Sequence, residues 1–430
     1  MIKNVFFAFM AVSFILNSAI CAPSKPDIIF VLADSLRPSH IACYGYPRET
    51  TPFLDNFARN NSVRFETVVA GGSWTQPAVM SLFTSVEPSV HMRVLPNKQH
   101  TKGLSTLADK LREAGYQTVG ITANKMVGRK FGYSVGFDVW DDFSATSPPG
   151  GGIKEAGAGY ADGMTLTRLG LRRLSRRDPE KPLFLFLFYM DTHWDFNPPA
   201  PYDSKFSEGS IPPPVGIWMS PSSMVDAEMR RRVKDAYDGE VAAFDNAVSN
   251  LITSISATPR WNDTVVVVAG DHGESFWERG WASHGNNLSD DELLVPLFIK
   301  PSKNTVHFTA GAVVRGQVAA IDIAPTILDL ASVDIPKSWS GRSLKGLLHG
   351  GVAEGVPVVS ETRIARPGDW IRSVRTDKWK IISSQPFNSI TEVYDLVSDP
   401  HETNNLIQTW TVIPSELKSL MTLLKPKGDL

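Results

Sequence analysis

The sequence is poor in cysteine and has no excess of charge of either sign. Its 430 residues include two cysteines, Cys21 and Cys43. Because we expect Cys21 to be removed with an N-terminal leader, Cys43 would remain alone, and an internal disulfide is excluded. The 43 basic and 45 acidic residues give a net charge of -2. No basic stripe is present, so the composition predicts no nucleic-acid partner.

Long hydrophobic runs are also absent beyond the N-terminus, where a leader pattern is found. Lys3 is followed by an uncharged apolar run over residues 5–16, and small residues follow up to Ala22. This layout predicts a signal peptide over residues 1–22, cleaved after Ala22. The run is shorter than the ~20 residues that span a bilayer. We expect a secreted or periplasmic protein with no integral membrane segment beyond the signal. A lipid anchor on Cys21 and an uncleaved anchor are alternatives.

Short apolar runs alternate with helical stretches along most of the chain. This pattern is typical of a large, mostly parallel sheet covered by helices on both faces, which is an α/β fold. The predicted strands are residues 27–33, 117–122, 183–189, 264–269 and 296–300. The predicted helices are residues 52–60, 77–84, 104–114 and 227–255. Residues 144–163 and 197–223 are rich in Gly, Ala, Ser or Pro and are predicted to be loops.

The pattern changes after about residue 336. Short strand-like runs at 357–361, 370–375, 378–382 and 392–396 predict a small, mostly antiparallel C-terminal sheet. We therefore expect a signal peptide over 1–22, a main α/β domain over 23–335 and a small C-terminal subdomain over 336–430.

Polar residues follow several predicted strands at the point where each strand ends. Parallel strands bring their carboxyl ends to one edge of the sheet, where ligands bind in open α/β folds. The residues at or near that edge are Asp34, Asp191, His193, Asp271, His272 and His284. One such residue alone would be a helix cap or a loop charge, but several together favour a metal site. A histidine among the ligands favours Zn or Mn over Ca, which prefers oxygen ligands.

Thr75 is the candidate nucleophile. It follows Gly71 and Gly72 and precedes a predicted helix, whose first turn would direct free N–H groups at an anion. Glycines allow the backbone to pass close to a ligand. An alcohol is a poor nucleophile unless a base or a metal activates it. Taken alone, Thr75 would be interpreted as a plain helix cap.

Several blocks of the sequence resemble the sulfatase family of the alkaline-phosphatase-like superfamily. The block 27–55 (DIIFVLADSLRPSHIACYGYPRETTPFLD) resembles the opening of these proteins, and 270–274 (GDHGE) resembles their second metal-binding segment. Further matching blocks are 283–296 (SHGNNLSDDELLVP), 321–330 (IDIAPTILDL), 341–344 and 392–406 (EVYDLVSDPHETNNL). The likeness covers about residues 27–406. It implies a large α/β domain with a small C-terminal sheet domain, and a metal-dependent ester hydrolase.

The resemblance also implies the residues that bind metal and substrate. Asp34, Asp271 and His272 would be metal ligands, Thr75 would be the metal-activated nucleophile, and Asn124 would hold the anionic group of the substrate. The expected cofactor is one or two divalent ions, with Zn or Mn favoured and Ca possible.

Three further residues would complete the catalytic machinery. His193 would contact the ester or protonate the leaving group. His284 stands where phosphate-cleaving relatives place a histidine that binds a second metal, so it is a candidate ligand or acid. Asp191 would join that second metal.

Two departures from the family pattern bear on the chemistry. Sulfatases convert a Cys or Ser to formylglycine within Cys/Ser-x-Pro-x-Arg, whereas this chain has Thr75, Gln76, Pro77, Ala78 and Val79 at those positions. Threonine cannot become that aldehyde, so a covalent threonine ester would have to be cleaved by water at sulfur or phosphorus. The second acid of the usual Asp-Asp pair is Ser35.

Three functions are compatible with these residues. The favoured one is hydrolysis of sulfate or phosphate esters of a small molecule, glycan or lipid, with phosphate mono- or diesters preferred on chemical grounds. The second is transfer of a phosphoryl group to a glycan or lipid alcohol. The third is a non-catalytic binding protein that keeps the metal. The sequence leaves the oligomeric state open.

Overall fold

The computed structural model describes residues 25–93, 103–143, 160–207, 220–363, 370–385, 389–409 and 414–425. The predicted leader (1–22) lies outside these ranges, as do residues 144–159 and 208–219 of the two predicted loops. Among the described helices, none has both the length and the apolar character that crossing a bilayer requires.

The elements are numbered in chain order within the described residues. The strands are β1 (Asp27–Ala33), β2 (Val63–Val69), β3 (Gln117–Thr122), β4 (Val139–Asp141), β5 (Leu183–Tyr189), β6 (Thr264–Gly270), β7 (Ser275–Phe276), β8 (Ala282–Ser283), β9 (Leu294–Lys300), β10 (Val313–Ala319), β11 (Gly351–Val352), β12 (Val358–Thr362), β13 (Ile371–Arg375), β14 (Trp379–Ser384) and β15 (Ser389–Asp395). The helices are α1 (Pro52–Asn60), α2 (Thr75–Thr84), α3 (Pro88–His91), α4 (Leu107–Glu113), α5 (Gly163–Ser175), α6 (Ala227–Ser256), α7 (Asp290–Leu293), α8 (Ile323–Leu330) and α9 (Ser415–Thr422).

The main sheet has the strand order β11-β10-β2-β9-β6-β1-β5-β3-β4. Its neighbouring strands are parallel except at β9, which runs antiparallel to both β2 and β6. A separate antiparallel sheet has the order β12-β13-β14-β15. The predicted fold class, a large mostly parallel sheet with a small C-terminal antiparallel sheet, is therefore confirmed.

The centre of the main sheet is formed by β6, β1 and β5, in which every residue is buried. Because helices cover both faces, these strands are apolar after their first residues, which include Asp27 and Thr264, instead of alternating with polar residues. Phe30 of β1 belongs to the core layer that includes α2, α4 and α8, whereas Val31 belongs to the layer with α1, α5 and α6. Burying each such side chain stabilises the fold by roughly 1.5–3 kcal/mol.

Four elements, β1, β3, β5 and α1, have the predicted bounds, and α2 begins two residues earlier than predicted, at Thr75. The sequence pattern does not predict β2 (VRFETVV) and β10 (VVRGQVA), because polar residues and a glycine interrupt their apolar runs. It also does not predict α5, which begins at the last residue of the predicted loop 144–163. Asp162 starts this helix, since its side chain accepts a hydrogen bond from the Thr165 N–H (2.7 Å).

Candidate metal centre and active site

The carboxyl ends of β1 and β6 bring the first candidate ligands together. Ala33 pairs with Gly270 in the parallel register of these strands, so the residues that follow, Asp34 and Asp271, are neighbours. Asp34, Asp271 and His272 are all completely buried. Each offers one ligand atom, and these atoms lie within 4.8 Å of one another. The predicted convergence of these three residues is present in the structure.

The two oxygens of the Asp271 carboxyl differ in their hydrogen bonding. Its Oδ1 accepts hydrogen bonds from the Ser35 N–H (3.0 Å) and the His272 N–H (2.7 Å). Its Oδ2 is buried and has no hydrogen-bond partner. Burial and the neighbouring Asp34 carboxylate raise the pKa of Asp271 well above its usual range. A buried acid with one unpartnered oxygen, next to a second acid, is the environment that a bound cation would relieve.

His272 presents its second nitrogen to the same point. Its Nδ1–H donates to the Gly273 carbonyl oxygen (2.8 Å), so Nε2 keeps a lone pair. That Nε2 lies 3.5 Å from both Asp34 Oδ1 and Asp271 Oδ2. Burial lowers the pKa of His272 to about 4, so the ring is neutral at neutral pH. A lone pair facing two carboxylate oxygens fits a divalent cation, for which imidazole and carboxylate are natural ligands.

Thr75 is the first residue of α2 and its hydroxyl lies beside this cluster. Thr75 Oγ1 is 3.3 Å from His272 Nε2 and donates to Asp34 Oδ2 at 3.4 Å. The N-cap of α2 is Trp74, so the alternative of Thr75 as a plain helix cap does not describe the structure. The side chain is 5% exposed. The hydroxyl therefore faces Asp34 and His272 and is almost entirely shielded from solvent.

Asn124 contacts a candidate metal ligand directly. Its Nδ2 donates to Asp34 Oδ2 (2.7 Å), while its Oδ1 accepts from the Met126 N–H (2.7 Å) and so fixes the direction of the amide. The structure thus places Asn124 at the cluster where the sequence predicted a substrate contact.

His193 and His284 lie on the same side of the site. The His284 ring centroid is 4.5 Å from that of His272 and 5.3 Å from that of His193. His193 Nδ1 donates to the Trp194 carbonyl, and burial lowers the pKa of His193 and, to about 4, that of His284. Burial thus favours the neutral form of both rings, and the His284 ring contacts the rings of both His193 and His272.

Glu274 and Ser35 are site residues to which the sequence assigned no role. Glu274 Oε2 lies 3.0 Å from His284 Nδ1, and its Oε1 is buried without a hydrogen-bond partner. Burial raises the pKa of Glu274 to about 8. The Ser35 hydroxyl donates to Asp34 Oδ1 (3.1 Å). The sequence signal for Glu274 was its place at the end of GDHGE, one residue beyond the Gly273 that orients His272.

The Asp191 carboxylate contacts the start of α5. Its Oδ1 accepts from the Gly163 N–H (2.9 Å) at the start of α5. A side chain on Gly163 would place its Cβ 2.6 Å from Asp191 Oδ2, so the helix start and this carboxylate are in close contact. Asp191 is not one of the three clustered residues Asp34, Asp271 and His272, and its role as a ligand of a second metal stays a prediction.

Comparisons with known proteins match most of the chain to one family. The sulfatase family model matches residues 26–333, and the model of the N-sulphoglucosamine sulphohydrolase C-terminal region matches residues 278–426. An arylsulfatase of Clostridium perfringens is 26% identical over 251 residues, which cover 55% of this chain and 51% of that protein. The match thus spans about half the length of this curated relative.

Two solved structures share the fold over 93% of this chain. One is a protein in complex with its substrate D-glucosamine-2-N,6-O-disulfate, with a TM-score of 0.74, 19% identity and 97% of its own chain covered. The other is the phosphonate monoester hydrolase of Agrobacterium radiobacter, with a TM-score of 0.72, 17% identity and 94% covered. Since the sulfatase model matches well over half of the chain, this protein belongs to the sulfatase family, a family of ester hydrolases.

Proposed function

We propose that this protein is a metal-dependent hydrolase of sulfate or phosphate esters that uses the Thr75 hydroxyl as its nucleophile, with phosphate mono- or diesters favoured. The observation that supports this most directly is the position of Thr75 Oγ1, 3.3 Å from His272 Nε2 and 3.4 Å from Asp34 Oδ2. No other role for this hydroxyl is apparent among its described contacts, since it does not cap α2.

Asp34, Asp271, His272 and Thr75 would hold one divalent cation, and the mixed nitrogen and oxygen donors favour Zn or Mn over Ca. A bound cation would lower the pKa of the Thr75 hydroxyl and polarise an ester oxygen. Because Ser35 stands where the family pattern has a second acid, the two remaining carboxylates balance a charge of +2 without excess. The resulting neutral centre would not repel an anionic ester.

The chemistry of the chain's own residues follows from these positions. Thr75, deprotonated to solvent, forms a bond from Oγ1 to phosphorus or sulfur as the bond to the leaving oxygen breaks. An anionic ester bound beside His193 and His284 favours the protonated form of these two neighbouring rings, so one of them takes up a proton from solvent and passes it to the leaving oxygen. A water molecule then attacks the same atom, the bond to Oγ1 breaks and the Thr75 hydroxyl regains a proton. The histidine that acted as acid accepts the other proton of the water.

The preference for phosphorus rests on the nature of the Thr75 ester. A formylglycine hydrate can release sulfate by elimination, whereas a threonine ester has no such exit and needs attack by water at sulfur or phosphorus. Both solved neighbours share the fold to a similar degree, with TM-scores of 0.74 and 0.72. The fold is thus compatible with attack at sulfur or at phosphorus. The threonine nucleophile is the feature that favours phosphorus.

The test is a paired assay of the purified protein with aryl sulfate, aryl phosphate and aryl phosphodiester, each with added Zn, Mn or Ca. We expect turnover of the phosphorus esters with Zn or Mn. Turnover of the sulfate alone, with Ca, would overturn the preference for phosphorus. Transfer of the group to an added alcohol would favour a transferase. Metal binding without turnover of any ester would favour a non-catalytic binding protein.

The nucleophile is tested separately by substitution. Thr75→Ala removes the attacking oxygen, so we expect kcat to fall by at least about a thousandfold, as for other catalytic nucleophiles. Thr84→Ala is the matched control, because Thr84 is a buried threonine at the other end of α2 whose hydroxyl bonds to the Met80 carbonyl (2.7 Å). Equal activity in Thr75→Ala and wild type would remove the nucleophile assignment.

We also infer that the protein is exported, from its N-terminal pattern of Lys3, an apolar run and small residues up to Ala22. N-terminal sequencing of the mature protein checks this. A start at Pro23 supports the inference, and a start at Met1 contradicts it.

A further inference from the structure

The turn that precedes Thr75 lies directly against the C-terminal sheet. The Ser360 hydroxyl donates to the Ala70 carbonyl (2.6 Å), and the Glu361 N–H donates to the Gly71 carbonyl (2.9 Å). A side chain at Gly72 would place its Cβ 3.0 Å from the Glu361 carbonyl oxygen. Gly72 is therefore needed for close packing against β12, and not only for the approach of a ligand, as the sequence had suggested.

The same strand contacts the loop that follows His284. Thr362 Oγ1 donates to the carbonyl of Gly285 (3.3 Å), the residue next to His284. Ser360 and Thr362 are two residues apart in a strand, so they face the same side, towards the main domain. One face of β12 thus contacts both the turn with Thr75 and the loop with His284.

The opposite face of β12 is fixed both to the C-terminal sheet and to α3 of the main domain. Glu361 Oε1 accepts hydrogen bonds from Ser89 Oγ and Arg372 Nη1, both at 2.8 Å, and its Oε2 accepts from Trp370 Nε1 (3.0 Å). Glu361 and Arg372 are at most 1% exposed. Since β12 also pairs with β13 along its whole length, the strand has little freedom to move.

We propose that β12 is part of the active site, where it holds the turn with Thr75 and the loop with His284 at a fixed separation, with Thr362 as the positioning residue for His284. The kinetic part of this proposal rests on the proposed ester hydrolysis. The predicted domain boundary at residue 335 then does not coincide with a boundary of the active site. Residues 23–335 alone would lack the strand that fixes the distance between the turn with Thr75 and the loop with His284.

The test replaces the Thr362 hydroxyl by a methyl group of the same size. In Thr362→Val we expect kcat to fall about three- to tenfold, the effect of losing one hydrogen bond, with KM changed less than about twofold. Thr391→Val is the control for the loss of a threonine hydroxyl bond elsewhere in the C-terminal sheet, because the exposed Thr391 lies in β15 and its hydroxyl bonds to the Ile382 carbonyl (3.2 Å). Thr362→Ser keeps the donor and should restore kcat.

A double-mutant cycle shows whether Thr362 acts through His284. If it does, Thr362→Val has little further effect on kcat in a His284→Ala protein. Additive losses, or equal losses in Thr362→Val and Thr391→Val, would overturn the proposal. If Thr362→Val does not fold, Ser360→Ala tests the other end of the strand, with a comparable loss of kcat expected and an unchanged kcat contradicting it.

A spectroscopic measurement separates this proposal from the proposed function. The NMR signals of the His284 imidazole should shift in Thr362→Val and remain in place in Thr391→Val, whether or not any ester is turned over. Unchanged His284 signals in Thr362→Val would overturn the role of β12 even if the protein proves to be an active hydrolase.

Discussion

Two of the regions in which this molecule buries acids differ in the partners of those acids. At the candidate metal centre, Asp271 Oδ2 and Glu274 Oε1 are buried without hydrogen-bond partners. Where the C-terminal sheet meets the main domain, each carboxyl oxygen of Asp290 and Glu361 accepts at least one hydrogen bond. Burial is similar in the two regions, so it does not distinguish them.

The difference indicates which buried charges stabilise the fold and which bind a ligand. Arg372 pairs with Glu361, and Arg375 and Lys380 pair with Asp290, so this interface needs nothing from outside the chain. At the metal centre, folding leaves Asp271 Oδ2 without a partner, at a cost that a cation would offset. The comparison thus predicts opposite responses to substitution in the two regions.

The largest effect is expected from breaking the buried pair at the interface. Arg372→Ala removes the partner of a fully buried Glu361, so we expect the free energy of unfolding to fall by about 3–5 kcal/mol. Chemical denaturation measures this. The control is Lys378→Ala, because Lys378 and Glu416 form a pair that is about half exposed, and such surface pairs contribute little. Similar losses of unfolding free energy in the two variants would show that the buried ion pair of Arg372 and Glu361 does not stabilise the interface.

The second effect concerns the metal centre. Asp271→Asn keeps an oxygen for the Ser35 and His272 N–H groups but replaces the unpartnered oxygen by an amide. We expect the affinity for Zn or Mn to fall by about 100-fold or more, equivalent to about 2.7 kcal/mol. The metal-free protein should melt at a higher temperature than metal-free wild type, because a buried uncompensated acid is lost. Calorimetric titration and thermal unfolding with a chelator measure the two quantities.

Asp245→Asn is the matched control for this substitution. Asp245 is also buried, but its two oxygens accept the N–H groups of Phe53 and Leu54 (2.9 and 2.8 Å) at the start of α1. We expect unchanged metal affinity and a lower melting temperature. If Asp271→Asn and Asp245→Asn lower the melting temperature of metal-free protein alike, Asp271 is an ordinary structural acid.

The sequence predicts the centre of the fold better than its margins. The central strands β1, β5 and β6 are nearly uniformly apolar because helices cover both of their faces, and this pattern is visible without coordinates. β2 and β10 lie towards one side of the sheet and include polar residues, so their runs are interrupted. The reversed direction of β9 depends on how the chain returns to the sheet, which local patterns do not encode.

The candidate site likewise contains residues whose positions the sequence predicts and residues whose positions it does not. Asp34 and Asp271 are brought together by strand register, so the rule that ligands bind at the carboxyl ends of strands predicts their meeting. Asp191 follows the same rule in sequence, yet its carboxylate bonds to the start of α5, a helix that the sequence did not predict. The contacts of Thr362 with Gly285 join residues from two sheets, and no local pattern reports such a contact.

The smallest expected effect is the pH dependence of the stability that Asp290 contributes at the interface of the C-terminal sheet with the main domain. Burial favours the neutral form of Asp290, but Lys380 and Arg375 outweigh it and hold the pKa of this carboxyl well below its usual value of 3.8. Its contribution to stability is therefore present above pH 4 and is lost as the pH falls towards the folded pKa. Comparing Asp290→Asn with wild type by chemical denaturation, we expect the difference in unfolding free energy to shrink by about 1 kcal/mol between pH 5 and pH 3. A difference that stays constant over this range would show that Asp290 is not stabilised as an ion, and the interface would then resemble the metal centre more than its hydrogen bonds indicate.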